Sequence, residues 1–276
     1  MKLIDGKAWS EKLRQDLKAK IEASPTKPGL AVVLVGEDPA SQIYVRNKIK
    51  ACADLGITSY AHRLPSETSQ EELEGILDKL AVDGNVHGIL LQLPLPEHLD
   101  EESASAHIPV EKDVDGFSAT NLGLLMQNKP CFPACTPVGI MKLLELEGIS
   151  LRGKHAVVIG RSETVGKPMS ALLLNADATV TVCHSRTQNL TEICKQADVL
   201  VASVGKAKFV TADMVKDGAV VIDVGINRDE NGKLCGDVDF ENVKEKASCI
   251  TPVPGGVGPM TITMLMYNTY SASCKE

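Results

Sequence analysis

Apolar residues recur along this chain with two distinct periods. Across residues 9–23 they fall three and four apart (Trp9, Leu13, Leu17, Ile21), which predicts an amphipathic helix. Residues 30–35 form an unbroken apolar run closed by Gly36, the pattern of a strand covered on both faces. Asp38-Pro39 then supplies an N-cap residue followed by proline at the first helical position, so a helix is expected to run to about Leu55. A strand over 57–64, a helix over 71–80 and a buried strand over 88–93 follow, the last stopped by Pro94 and Pro96. Strands alternating with helices imply a mostly parallel α/β sheet.

Residues 109–139 break the rhythm, with Pro109, Pro130, Pro133 and Pro137 among several turns, and mark a domain junction. Thr136-Pro137 opens a helix to about Glu147, after which a second α/β series begins. Its strands are expected at 155–159, 178–183, 198–203 and 219–224, with helices at 165–174, 189–196 and 212–216 between them. This is the order of a doubly wound, Rossmann-like nucleotide-binding domain. A rigid loop from Thr251 to Pro259 feeds a last helix over 260–270. That helix comes too late for the second sheet and is expected to pack back on the first domain. The expected architecture is two α/β domains around a cleft, residues 1–120 with 260–276, and residues 138–258.

Charge and cysteine usage narrow the classes of partner. Lys plus Arg number 29 and Asp plus Glu 36 in 276 residues, a net charge of −7. Such a chain lacks the dense basic face that a nucleic-acid backbone requires, and 3% aromatic residues leave little for base stacking. Small-molecule substrates are expected instead. No apolar run approaches the roughly 18 residues of a membrane span. Lys2, Asp5 and Lys7 interrupt any signal-peptide core, so no membrane partner is expected and the expected location is the cytoplasm. The eight cysteines are scattered without a Cys-x-x-Cys pair, as reduced thiols would be. Cys131 and Cys135 lack a downstream His or Cys pair at zinc spacing, so no metal is expected.

Several segments carry candidate chemistry. The strand at 155–159 runs into Gly160, a short loop and a helix near Gly166, where a dinucleotide pyrophosphate would meet backbone N–H groups and the positive helix end. The loop departs from Gly-x-Gly-x-x-Gly because Arg161-Ser162 occupies the second-glycine region, and an ordinary strand–turn–helix junction also explains the bare motif. The next strand ends in His184-Ser185-Arg186, without the carboxylate that usually holds a free ribose. Serine and arginine suit a 2′-phosphate, so Ser185 and Arg186, with Arg161, favour NADP over NAD, although a solvated Arg186 is the competing reading. In the first half, Tyr44 and Lys48 stand four apart on one helix face, an aromatic platform beside an amine, and most helical lysines are simply solvated. Gln92 lies in an apolar run where its amide must find partners, which backbone alone can supply. Lys112-Asp-Val-Asp-Gly116 puts two acids in one turn, and either can cap it.

Six segments follow in order over nearly the whole chain: Tyr44-Val-x-x-Lys48, Gln92-Leu-Pro-Leu-Pro96, Lys112-Asp-Val-Asp-Gly116, Cys135-Thr-Pro-x-Gly139, Gly160-Arg-Ser-x-x-Val-Gly-x-Pro168 and Pro252-Val-Pro-Gly-Gly-Val-Gly-Pro-Met-Thr261. Together they resemble the bifunctional methylenetetrahydrofolate dehydrogenase/methenyltetrahydrofolate cyclohydrolase family. The resemblance implies NADP-dependent oxidation of 5,10-methylenetetrahydrofolate to the methenyl form, then hydrolysis to 10-formyltetrahydrofolate, with tetrahydrofolate as the one-carbon carrier. It implies a catalytic set of Lys48 as the catalytic lysine, Gln92 orienting it, Tyr44 stacking on the folate and Asp115 binding the pterin. Burial beside a cationic substrate is expected to lower the lysine's affinity for its proton. Leu91, Leu93, Pro254, Gly255, Gly256 and Val257 would line the substrate, and Gly160, Arg161, Ser162, Ser185, Arg186 and Ile226 would hold NADP. By the same resemblance residues 1–120 with 260–276 are the folate-binding catalytic domain, and a homodimer is expected. Thr164 stands where the family often has a hydrophobic residue and Ala134 where it has proline, both beside motifs and not at reacting positions. The alternatives are a monofunctional dehydrogenase with weak or lost cyclohydrolase activity, NAD in place of NADP, a non-catalytic binding protein, and an unrelated shikimate-type dehydrogenase. Intact Lys48 and Gln92 argue against the first and third, Arg161 and Ser185 against the second, and Tyr44, Gln92 and Asp115 are left without a role by the fourth.

Overall fold

A computed structural model describes residues 1–274; Lys275 and Glu276, the end of the expected 260–276 segment, lie outside the described residues. The chain begins with β1 (Lys2–Leu3), α1 (Gly6–Ala23), β2 (Gly29–Val35), α2 (Pro39–Leu55), β3 (Thr58–Leu64), α3 (Gln70–Val82) and β4 (Gly88–Leu91). Then come α4 (Glu101–Ala106), α5 (Ala119–Met126), α6 (Cys135–Leu146), β5 (His155–Ile159), α7 (Gly166–Asn175) and β6 (Thr179–Cys183). The last elements are α8 (Leu190–Cys194), β7 (Val199–Ala202), β8 (Val220–Asp223), β9 (Asn227–Arg228), β10 (Leu234–Cys235), α9 (Phe240–Val243), β11 (Cys249–Ile250) and α10 (Val257–Ser273). These elements form two compact units, one of residues 12–135 with 262 onward and the other of residues 1–11 with 136–261.

The former unit is built on a three-stranded parallel sheet, β3-β2-β4. All seven residues of the central β2 are buried, as its unbroken apolar run requires. Leu73 and Leu77 of α3 are fully buried against Ala31, Val33 and Ile89, each side chain contributing about 1.5–3 kcal/mol on removal from water. The α2 helix starts where Asp38 accepts the Ser41 N–H at 2.7 Å with Pro39 in its first turn, and it stops at Gly56, whose φ of +79° closes the last turn. This fixes the phase of α2 and so the face on which Tyr44 and Lys48 stand. The proline-rich stretch is more ordered than its composition suggests, because Ser118 caps α5 by accepting the Asn121 N–H at 3.1 Å. Residues 262–273 of α10 belong to this unit: Met266 Sδ meets Cys52 Sγ at 3.6 Å and Tyr267 donates to Leu13 O at 3.1 Å.

The other unit has a six-stranded parallel sheet in the order β1-β11-β8-β7-β5-β6. Val157, Ile159, Leu200, Ala202 and Val221 form its core beneath short helices. Two expected helices contract, 189–196 to α8 and 212–216 to a 3₁₀ turn, Ala212–Met214. The expected division at residues 1–120 misplaces the first eleven residues. Lys2 and Leu3 pair with Cys249 and Ile250, so the N-terminus adds an edge strand to the six-stranded sheet. Among the described residues, no helix is long and apolar enough to cross a membrane, and no group of three His, Cys, Asp or Glu side chains is placed to hold a metal ion.

Candidate active site

In the three-stranded unit, α2 and the carboxyl end of β4 present the first cluster. Tyr44 is 42% exposed, an accessible ring one turn before the half-buried Lys48. Lys48 Nζ donates to Gln92 Oε1 at 3.1 Å. Gln92 is fixed from its other end, its Nε2 donating to Leu93 O at 2.7 Å and its backbone N–H to Val33 O at 2.8 Å. With the amide nitrogen turned to a carbonyl, only the oxygen is left for the ammonium, so the amide orientation follows from its partners. Leu91 is buried behind it and Leu93 is half-buried.

The two acids of the 112–116 turn divide their roles. Asp113 faces its own loop: Oδ1 accepts the Gly116 and Phe117 N–H groups at 3.0 and 3.2 Å, and Oδ2 accepts Ser118 N–H and Asn121 Nδ2 at 2.8 Å each. Asn121 Oδ1 in turn accepts the Phe132 N–H at 3.1 Å. Lys112 Nζ donates to Asp83 O at 2.8 Å at the end of α3. Gly116 has φ +76°, and a Cβ there would stand 2.4 Å from Pro133 C. Its conformation and the close backbone crossing both demand glycine.

The Asp115 side chain takes no part in that loop network. It keeps some exposed surface, but burial pushes its carboxyl above the usual range, the Lys48 ammonium opposes that rise, and Asp113 adds to it. Asp115 borders a cavity of about 20 Å³ with Leu91, Leu93 and Phe117. Burial and the nearby Asp115 hold the Cys135 thiol well above its ordinary value, so it stays protonated and donates to Val114 O at 3.3 Å. Asn268 of α10 donates to the same carbonyl at 2.8 Å. No sequence motif signals this asparagine.

The six-stranded unit holds the remaining expected residues. Gly160 follows β5 with φ +131°, and a Cβ on it would stand 2.3 Å from Ser203 O. A Cβ on Gly166 would stand 2.3 Å from Gly160 O, so loop and helix approach backbone to backbone. Ser162 Oγ accepts the Val165 and Gly166 N–H groups at 3.2 and 3.3 Å, while the N–H groups of residues 161–164 have no acceptor among the described residues. Free donors at a helix start fit a phosphate. Glu163 pairs with Lys167 at 2.8 Å, which offsets its charge beside that loop. After β6, His184 N–H donates to Thr187 Oγ1 at 2.8 Å and Arg186 N–H reaches His184 Nδ1 at 3.2 Å. This turn leaves Ser185 and Arg186 exposed, as are Arg161 and Ile226. In the 254–257 loop, Gly255 O accepts the Lys7 N–H at 2.8 Å and Val257 starts α10.

A Rossmann-like sheet with a glycine-lined loop between β5 and α7, and a second α/β unit carrying a lysine–glutamine–carboxylate cluster, define a dinucleotide-dependent enzyme. Residues 4–115 match the tetrahydrofolate dehydrogenase/cyclohydrolase catalytic domain and residues 134–276 its NAD(P)-binding domain. The chain is 56% identical over 274 residues to the bifunctional protein FolD of Moorella thermoacetica, with 98% of each chain covered. The bifunctional FolD structure from Campylobacter jejuni aligns with a TM-score of 0.97 at 49% identity, covering 99% of both chains. The dehydrogenase-cyclohydrolase of Trypanosoma brucei, solved with NADP cofactor and inhibitor, aligns at 0.93 and 37% identity, covering 99% of this chain and 97% of that one. The protein belongs to the tetrahydrofolate dehydrogenase/cyclohydrolase family.

Proposed function

We propose that this protein oxidises 5,10-methylenetetrahydrofolate to the 5,10-methenyl form and hydrolyses that product to 10-formyltetrahydrofolate. The observation that carries the reading is the Lys48 ammonium, held by Gln92 at 3.1 Å and electrostatically coupled to a half-buried Asp115. When bound, NADP supplies the hydride acceptor. Backbone donors at 161–164, beside Gly160, would hold its phosphates. Arg161, Ser162, Ser185 and Arg186 would hold the 2′-phosphate side and Ile226 an apolar face.

Tyr44 offers its ring to the folate. Asp115 accepts hydrogen bonds from the pterin amino and ring N–H groups, donors that replace the water its carboxylate loses on burial. In the hydrolytic step water adds to the methenyl carbon and loses a proton. The C–N5 bond then breaks as N5 takes up a proton and the carbinol hydroxyl loses one to become the formyl oxygen, so one proton is released overall. Lys48 is the amine placed to carry these protons, and Gln92 keeps it aimed. Leu91, buried, and Leu93, half-buried, exclude water from the substrate beside Gln92. In this reading residues 12–135 with the end of α10 bind folate, and residues 136–261 bind NADP. A cytoplasmic homodimer that feeds one-carbon units to purine biosynthesis completes the proposal, and light scattering after size exclusion tests the dimer.

The deciding experiment follows NADPH and methenyltetrahydrofolate absorbance together. NADPH should form while methenyl-folate decays faster than its spontaneous hydrolysis. Accumulation of methenyl-folate in step with NADPH, decaying only at the spontaneous rate, would instead establish a monofunctional dehydrogenase.

A further inference from the structure

The carboxyl end of the six-stranded sheet is fastened by two buried carboxylates that the mechanism above does not use. Asp223, the last residue of β8, is 3% exposed, and Asp237 is fully buried. Asp223 Oδ1 accepts the N–H groups of Gly225 and Asp237 at 2.9 and 2.8 Å, and Oδ2 accepts Val238 N–H at 2.9 Å. The Asp223 N–H donates to Thr251 Oγ1 at 2.8 Å, the residue that opens the 252–257 loop. Asp237 reaches the opposite way. Its Oδ2 accepts Val204 and Gly205 N–H at 2.6 and 3.1 Å, and its Oδ1 accepts Lys206 N–H and Asn227 Nδ2 at 2.9 Å each.

Three of the four donors to Asp237 therefore come from the turn after β7, and the fourth from Asn227, the first residue of β9, directly after the turn that follows β8. In an open parallel α/β sheet these carboxyl-end turns form the wall of the ligand crevice. Ser203, which starts the first turn, stands against Gly160 of the phosphate loop. Asn227 directly follows Ile226. The glycines around the pair leave no slack: a Cβ on Gly225 would stand 2.4 Å from Asp237 Oδ1, and one on Gly236 1.8 Å from Asp223 Oδ2. An acceptor-only side chain suits three convergent backbone N–H groups, and no neutral residue of this size offers two acceptor oxygens.

We propose that Asp237, seated on Asp223, is a positioning residue for dinucleotide binding, presetting the 204–206 turn and the turn carrying Ile226. The inference rests on the dinucleotide reading of this unit. Asp237→Asn keeps the volume but points an amide donor at backbone N–H groups. Asn227→Ala removes one donor without adding a clash, and it keeps the test open if Asp237→Asn fails to fold. NADP and NAD are titrated calorimetrically into wild type and both variants, and cyclohydrolase turnover is measured without dinucleotide. Losing charge-assisted hydrogen bonds here should weaken dinucleotide binding by about tenfold or more in Asp237→Asn, and less in Asn227→Ala. The dehydrogenase KM for NADP should rise in parallel, with kcat at saturation and cyclohydrolase turnover within about twofold of wild type. Unchanged dinucleotide affinity in a folded variant, or equal losses of both activities, would overturn the inference. Failure of wild type to prefer NADP would overturn only the cofactor assignment, because the change in affinity is read for whichever dinucleotide binds.

Discussion

Replacing Lys48 with methionine isolates the proton chemistry from the shape of the site. Methionine fills nearly the same length on α2 and is an equally good helix former, so the helix and its face should persist. Gln92 Oε1 loses the donor it has at 3.1 Å, but the site is half-buried and water can take that place, so the stability cost should be about 1 kcal/mol. The catalytic cost is far larger. A positioned proton carrier is worth ~10²- to 10⁴-fold, and cyclohydrolase turnover should fall by that factor. Hydride transfer needs alignment more than a proton carrier, so part of the dehydrogenase activity should survive. The missing charge also acts on Asp115. Burial then pushes its carboxyl up with no ammonium to oppose it, so folate affinity should begin to fail at a higher pH on acidification than in wild type. The assay is methenyl-folate decay, corrected for spontaneous hydrolysis, beside a folate titration at several pH values. Decay at the wild-type rate in folded Lys48→Met protein would remove Lys48 from the mechanism.

Three further outcomes are expected. Arg161→Ala should lose about 1.5–3 kcal/mol of NADP affinity and much less for NAD, read as kcat/KM with each cofactor; equal losses would place Arg161 away from the 2′-phosphate. Asp115→Ala should weaken folate binding by about tenfold or more while NADP affinity, measured by separate titration, stays within about twofold. Asp223 is raised from 3.8 to about 6, chiefly by burial. The native state therefore binds more protons than the unfolded one between those values, so this group's contribution is full below about 4 and is lost as pH rises through about 6. Thermal unfolding across pH 4–8 should show that decline in wild type, and its absence in Asp223→Asn.

The long-period features were legible because each is set locally. The α2 cap, the β2 run and the helical spacing in α1 need no distant partner to be recognised. Elements that exist only through remote pairing were not legible. Two-residue β1 carries no period of its own and is a strand because Cys249 and Ile250 lie beside it. The α5 helix hides in a proline-rich stretch, and its order comes from Ser118 and from Asn121, which bonds Asp113 and Phe132. The candidate site divides along the same line. Tyr44 and Lys48 share a helix face by spacing alone, whereas spacing cannot say which acid of Asp113 and Asp115 turns inward. That depends on Gly116 holding φ +76° against the 132–134 backbone. Asn268 and the Asp223–Asp237 pair act through contacts more than ten residues away, for which neither composition nor period has a signature.

The path of the chain through its two units has a consequence for how the protein is made. The three-stranded unit is begun at residue 12, interrupted after 135 and completed only by the final helix. On a ribosome, its sheet can form while residues 136 onward are still unsynthesised, but Cys52 waits for Met266 and the Asp115 turn waits for Asn268. The six-stranded unit likewise holds Lys2 and Leu3 unpaired until Cys249 and Ile250 emerge. Both bodies therefore mature only after residues 249–268 have been synthesised. A stop codon near position 261 should leave a nascent product with an open core and neither activity, a ready substrate for chaperones and proteases, and not a functional half-enzyme.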